Sequence, residues 1–211
     1  MNFIEFLNEN QSKYPWMIKS RDKIEQWLRF HPATRILPEK INDDLTIGTI
    51  YTLIIGDDDL VQYGEGHYLP VHFTQVGEYT FTTFKQGASL IGSPKKVEKF
   101  TIKTGTVNSF EGIPEEAEMM NLSQWNNLTS LKGINNHIKS CERMIIPIGI
   151  KSNILGLLYI KDLEIVSPPF GKGEELINAL IILHKHLKGD NDVLECQEEL
   201  ISAGYKEYAK L

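Results

Sequence analysis

Cysteine and histidine are the side chains best suited to chemistry at neutral pH, and the chain holds two of the first and six of the second. Cys141 stands in Lys139-Ser140-Cys141-Glu142-Arg143, where neighbouring cations would lower a thiol pKa and make the sulfur nucleophilic. The competing reading is an inert core or surface thiol, because free cysteine is so often simply buried; Cys196 is the other thiol that could resolve it. His67 and His72 lie in a stretch rich in strand formers, with Tyr63, Tyr68 and Phe73. Five residues apart, they point to opposite faces of a regular strand, so one could meet a ligand as donor or acceptor. His184 and His186 cannot share a metal on a helix, where residues two apart point about 200° from each other; a solvated helix face is expected there. Asp57-Asp58-Asp59 gathers the oxygens that hard cations prefer, but no calcium-loop spacing completes it, and a solvated turn is expected.

The segment from Ser109-Phe110-Glu111-Gly112 through Trp125-Asn126-Asn127 to Asn135-Asn136-His137 is rich in amides and aromatics. Amides donate and accept, and an indole offers a stacking face, which together suit a planar polar ligand. The alternative is a polar surface connection with Trp125 anchoring a helix. No phosphate-binding glycine loop, nucleophile elbow or H-E-x-x-H pair is present. No catalytic residue and no metal ligand is therefore assigned, and the sequence names no cofactor.

These side chains need elements to hold them. Residues 2–30 read as two short helices, the second capped by Ser20 and stopped at His31-Pro32. Strands are expected at 47–55, 60–63, 68–74 and 79–84 and around Phe100 and Ile102, with Tyr79, Phe81 and Thr83 sharing one face. Loop and short helices are expected over 106–141, the helices at 115–120 and 122–131. Strands at 143–150 and 154–160 flank a hairpin turn at Lys151-Ser152-Asn153. Leu176, Leu180, Leu183 and Leu187 then recur at helical spacing, and a last helix is expected at 192–209. No internal repeat or linker is read, so one domain over 1–211 is the economical division.

Residues 143–187 resemble the end of a GAF domain: Ile146-Pro147-Ile148 entering a hairpin, Leu155-Gly156-Leu157-Leu158 on the next strand, then Pro169-Phe170 leading to the closing helix. The resemblance implies an α+β fold, with a central antiparallel sheet of five or six strands and helices on one face. A ligand pocket would lie on the other face, roofed by 106–141. On that basis the candidate ligand-binding residues are Tyr68, His72, Phe84, Phe110, Glu111, Trp125, Asn126, His137 and Cys141.

A hydrophobic fraction of 41% and a charged fraction of 24% are ordinary for a globular protein. A net charge of -6 without a Lys/Arg run argues against nucleic acid. No long apolar run or signal-like start is read, so no membrane is expected, and a cytoplasmic location is. The leading expectation is a regulatory domain that senses a small polar or planar molecule and acts through a partner or through dimerisation of its terminal helices. A ligand-free protein-interaction module, of the phage or immunity-inhibitor type, is the alternative. An enzyme with a cryptic thiol or histidine site is the third.

Overall fold

The buried pattern of one segment explains the architecture. In Gln75–Thr83, Val76, Tyr79, Phe81 and Thr83 are buried, while Glu78 is exposed and Thr80 and Thr82 are half-exposed. The same order of one buried residue, two others, then alternation recurs in Lys96–Thr104 (Val97, Phe100, Ile102, Thr104 inside) and in Glu116–Trp125 (Ala117, Met120, Leu122, Trp125 inside). Stacked in register, these rows lay Tyr79 beside Phe100, Phe100 beside Met120 and Met120 beside Met144. Like therefore packs on like through the interior, which is how a coil of repeated rungs buries a continuous core.

The protein is described by a computed structural model covering residues 14–30, 41–168, 173–187 and 192–211. In chain order the elements are α1 (Arg21–Phe30), β1 (Ile50–Ile55), β2 (Val61–Tyr63), β3 (Gly66–Tyr68), β4 (Gln75–Thr83), β5 (Lys96–Thr104), β6 (Glu116–Trp125), β7 (Ser140–Ile145), β8 (Ile165–Ser167), α2 (Glu174–Leu187) and α3 (Val193–Ser202). Six strands form one sheet in the order β1-β4-β5-β6-β7-β8, and every neighbouring pair is parallel. The result is a parallel β-solenoid of about 4 turns. β2 and β3 make a separate antiparallel hairpin.

This overturns the GAF resemblance and the antiparallel α+β sheet it implied. Ile146-Pro147-Ile148 follows β7 and enters no hairpin: Asn153 sits at φ 63°, and Leu155–Tyr159 is a 3₁₀ turn whose Leu155, Leu157 and Leu158 are buried. Pro169-Phe170 lies outside the described residues. The expected helices at 115–120 and 122–131 are instead β6 and the turn after it. Ala117, Met120, Leu122 and Trp125 fit helical spacing nearly as well as strand spacing; pairing with β5 and β7 on both sides decides the matter. Residues 2–12 also lie outside the described residues. The last helix ends at Ser202, short of 209, and turns follow it.

An internal repeat, which the sequence alone had not suggested, now stands out. Ser89-Leu90-Ile91-Gly92, Ser109-Phe110-Glu111-Gly112 and Ser130-Leu131-Lys132-Gly133 start 20 and 21 residues apart. Leu90, Phe110 and Leu131 point into the coil, and each glycine runs at positive φ, 98°, 85° and 77°. At Gly112 a Cβ would collide with the backbone of Leu90 and Ile91 on the neighbouring turn. Glycine therefore sets both the bend and the stacking distance.

The described helices pack onto the coil. Ser20 caps α1 through the Lys23 amide at 3.3 Å, and Ile24, Trp27 and Leu28 join the core. α2 buries Leu176, Ala179, Leu180, Ile182 and Leu183, and packs against β8, the 155–159 turn and α3. His184 and His186 are not a solvated face: the Val166 amide donates to His184 Nε2 at 3.0 Å, and His186 Nε2 lies 3.1 Å from Glu199 of α3.

Candidate functional site

Two surfaces are built well enough to do something. The first is the outer face of the six-stranded sheet. Register places Thr52, Glu78, Lys99, Met119, Arg143 and Ile165 in one column across the six strands, and Ile54, Thr80, Thr101, Asn121, Ile145 and Ser167 in another. These side chains are half-exposed or exposed, and the packing of α2 and α3 falls on β8, on the 155–159 turn and on each other. Ion pairs cross the strands at Glu78–Lys99 (3.9 Å) and Lys96–Glu116 (3.2 Å). The face is thus a regular grid of polar, charged and apolar groups.

The second is a cleft of about 650 Å³ where the turns leading into β5, β6 and β7 stack. Lys95 and Lys139 converge on Glu115, Lys95 at 3.1 Å and Lys139 closer still. The hydrogen bond from Lys139 and the charge of Lys95 hold the Glu115 carboxyl below the usual carboxylate range. His72 lines the same cleft, and burial, helped by Lys95, pushes its imidazole down to about 4. It is neutral at neutral pH, a hydrogen-bonding group rather than a charge.

The nine expected ligand residues scatter over these features. His72, Glu111 and His137 line the cleft together. Phe110 and Trp125 are core, packed edge to face at 5.4 Å, with the Trp125 indole donating to the Val107 carbonyl at 2.8 Å. Cys141 is a fully buried rung residue of β7, and burial pushes its thiol up to about 12. Tyr68, at the end of hairpin strand β3, stacks on Trp16 at 3.8 Å. Phe84 is 67% exposed just past β4, and Asn126 is exposed just past β6. Of the other candidates, Asp57–Asp59 is a 3₁₀ turn whose Asp57 accepts from Thr83 and from the Phe84 amide. His67 lies within 3.0 Å of the Gln86 carbonyl.

The cleft can bind and orient a polar group. Among the described residues no set of three His, Cys, Asp or Glu is arranged to hold a metal ion, and no helix is long and apolar enough to cross a membrane. The outer sheet face was missed at the sequence level. The signal that points to it is the Ser-(Leu/Phe)-x-Gly spacing, whose near-constant period stacks the strands between in parallel and so aligns their outward side chains. Comparison with known proteins adds no relative: no protein-family model, no curated protein and no solved structure matches this chain.

Proposed function

We propose that this chain is a protein-interaction module whose recognition surface is the outer face of the parallel sheet. The observation that carries the proposal is the exposed grid itself: α2 and α3 pack on β8, on the 155–159 turn and on each other, and the columns across the six strands stay exposed or half-exposed. Strands about 4.8 Å apart give a face roughly 24 Å across and, along a nine-residue strand, about 30 Å high. That approaches the ~800 Å² per partner of a standard protein interface, and solenoids use such extended surfaces for binding. Thr101 stands near its centre, between Thr80 and Asn121. Affinity capture from cells that carry the protein tests this with wild type, Thr101→Arg and, on α3 and off the sheet, Leu194→Arg, where Leu194 is 71% exposed. A protein partner held by wild type and by Leu194→Arg, and lost at least tenfold with Thr101→Arg, is the expected result. Equal retention by all three contradicts it.

A second reading is supported by the cleft, whose volume lies within the range of small-molecule sites. His72 in its neutral form, together with Glu111 and His137, would there contact a small polar molecule. Native mass spectrometry of the protein from its own cells tests it. A stoichiometric extra mass of a few hundred daltons, lost with His72→Ala, is the expected result, and bare protein mass contradicts it.

A further inference from the structure

One column bordering the outer face, at the bend before Lys99, Met119 and Arg143, differs from the rest. Glu98, Glu118, Glu142 and Glu164 occupy the same position on β5, on β6, on β7 and just before β8, next to the register pairs Lys99–Met119, Met119–Arg143 and Arg143–Ile165. The Glu164 amide donates to the Glu142 carbonyl at 3.0 Å, which fixes the last rung. All four side chains are exposed, and none is in an ion pair among the described residues, whereas Lys99 is committed to Glu78 and Lys96 to Glu116. Like charges directly opposite on adjacent strands repel, and here the repulsion repeats over three successive steps of about 4.8 Å. On β4 the same position is Gly77 and on β1 it is Tyr51, 76% exposed, while half-exposed Met119 and Ile165, 46% exposed, run beside the column.

Resting on the reading of the sheet face as a docking surface, we infer that its occupant is a basic segment of a partner protein, laid across the rungs with Lys or Arg side chains on the glutamate column. The charge pattern selects this occupant. Cations placed at rung spacing remove a repulsion that the free protein carries, and exposed Tyr51 and Ile165, with half-exposed Met119, accept the apolar residues of a segment that is not purely charged. An acidic partner or a nucleic acid backbone would add to the repulsion.

A fluorescein-labelled nona-arginine peptide is the probe, titrated by anisotropy at about 0.1 M salt, where exposed charges more than about 10 Å apart are largely screened. Three proteins are compared: wild type; the column variant E98Q/E118Q/E142Q/E164Q; and a control of equal net charge, E65Q/E174Q/E195Q/E198Q, whose residues are exposed and lie off the face. The inference requires the column variant to bind at least tenfold more weakly and the control to stay within twofold of wild type. It also requires the column variant to melt at a higher temperature than wild type, since the repulsion is gone, so a misfolded variant cannot imitate the result. Equal weakening in both variants, or no wild-type binding up to 1 mM peptide, overturns the basic partner. Should Thr101→Arg still abolish capture in that case, the docking face stands without it; should Thr101→Arg leave capture unchanged, the face itself is lost.

Discussion

At Gly112 the backbone runs at φ 85°, and a methyl group there would enter the backbone of the adjacent turn. Gly112→Ala is expected to cost roughly 2–4 kcal/mol, strain and overpacking together. Gly105→Ala, where a Cβ meets open space, should stay within about 0.5 kcal/mol. Urea unfolding of the two variants checks this contrast. His72 makes a second residue-scale prediction. Its folded pKa of about 4 lies below the ordinary histidine value, so between about 6.5 and 4 the unfolded chain binds the extra proton. Stability should therefore fall as pH drops through that window, by up to about 1.4 kcal/mol per pH unit from this group. His72→Gln removes that part of the slope; parallel slopes for wild type and variant would show that His72 is not buried in its neutral form.

At the scale of elements, α2 and α3 close the coil through a small polar contact. Glu199 receives hydrogen bonds from Lys185 and from His186, in that order of effect, and these hold its carboxyl below the usual range. A depressed carboxylate stabilises above its unfolded pKa, and the contribution is lost as pH falls through the folded value. Glu199→Gln should therefore melt below wild type at pH 7, and the gap should close below about pH 4. A gap that is constant with pH would mean that packing, not charge, joins the helices. α2 was legible in the sequence because Leu176, Leu180, Leu183 and Leu187 repeat over a long helix that is amphipathic on its own terms. The face shared by Tyr79, Phe81 and Thr83 was legible for the same local reason. β6 was not, since its four buried residues suit either period and only its neighbours choose. The apolar strings at 146–148 and 155–158 misled because short runs of Ile and Leu fill a solenoid rung as readily as a hairpin strand.

For the whole molecule, alternation of apolar and polar residues suggested an antiparallel sheet with one wet face. A solenoid yields the same alternation from parallel strands, because its returning turns cover the inner face and leave the outer one to water. Telling the two apart takes the repeat, and the repeat here is degenerate: Leu, Phe and Leu at its apolar position, and Val, Ala and Cys in the first buried column. Cys141 thereby changes from a candidate nucleophile to a rung of that column, and Trp125 from a stacking face to a buried anchor. The cleft gathers three of the nine expected residues because successive turns bring His72, Glu111 and His137 together from distant parts of the chain.

The most direct measurement is photo-crosslinking in cells that carry the protein, with benzoylphenylalanine placed at one position per molecule: Thr80, Thr101 or Asn121 on the sheet face, Glu111 at the cleft and Leu194 on α3. The docking face predicts a crosslinked protein species of one size from all three sheet positions and none from Leu194. Crosslinks from Glu111 or Leu194 with silence from Thr80, Thr101 and Asn121 would contradict it.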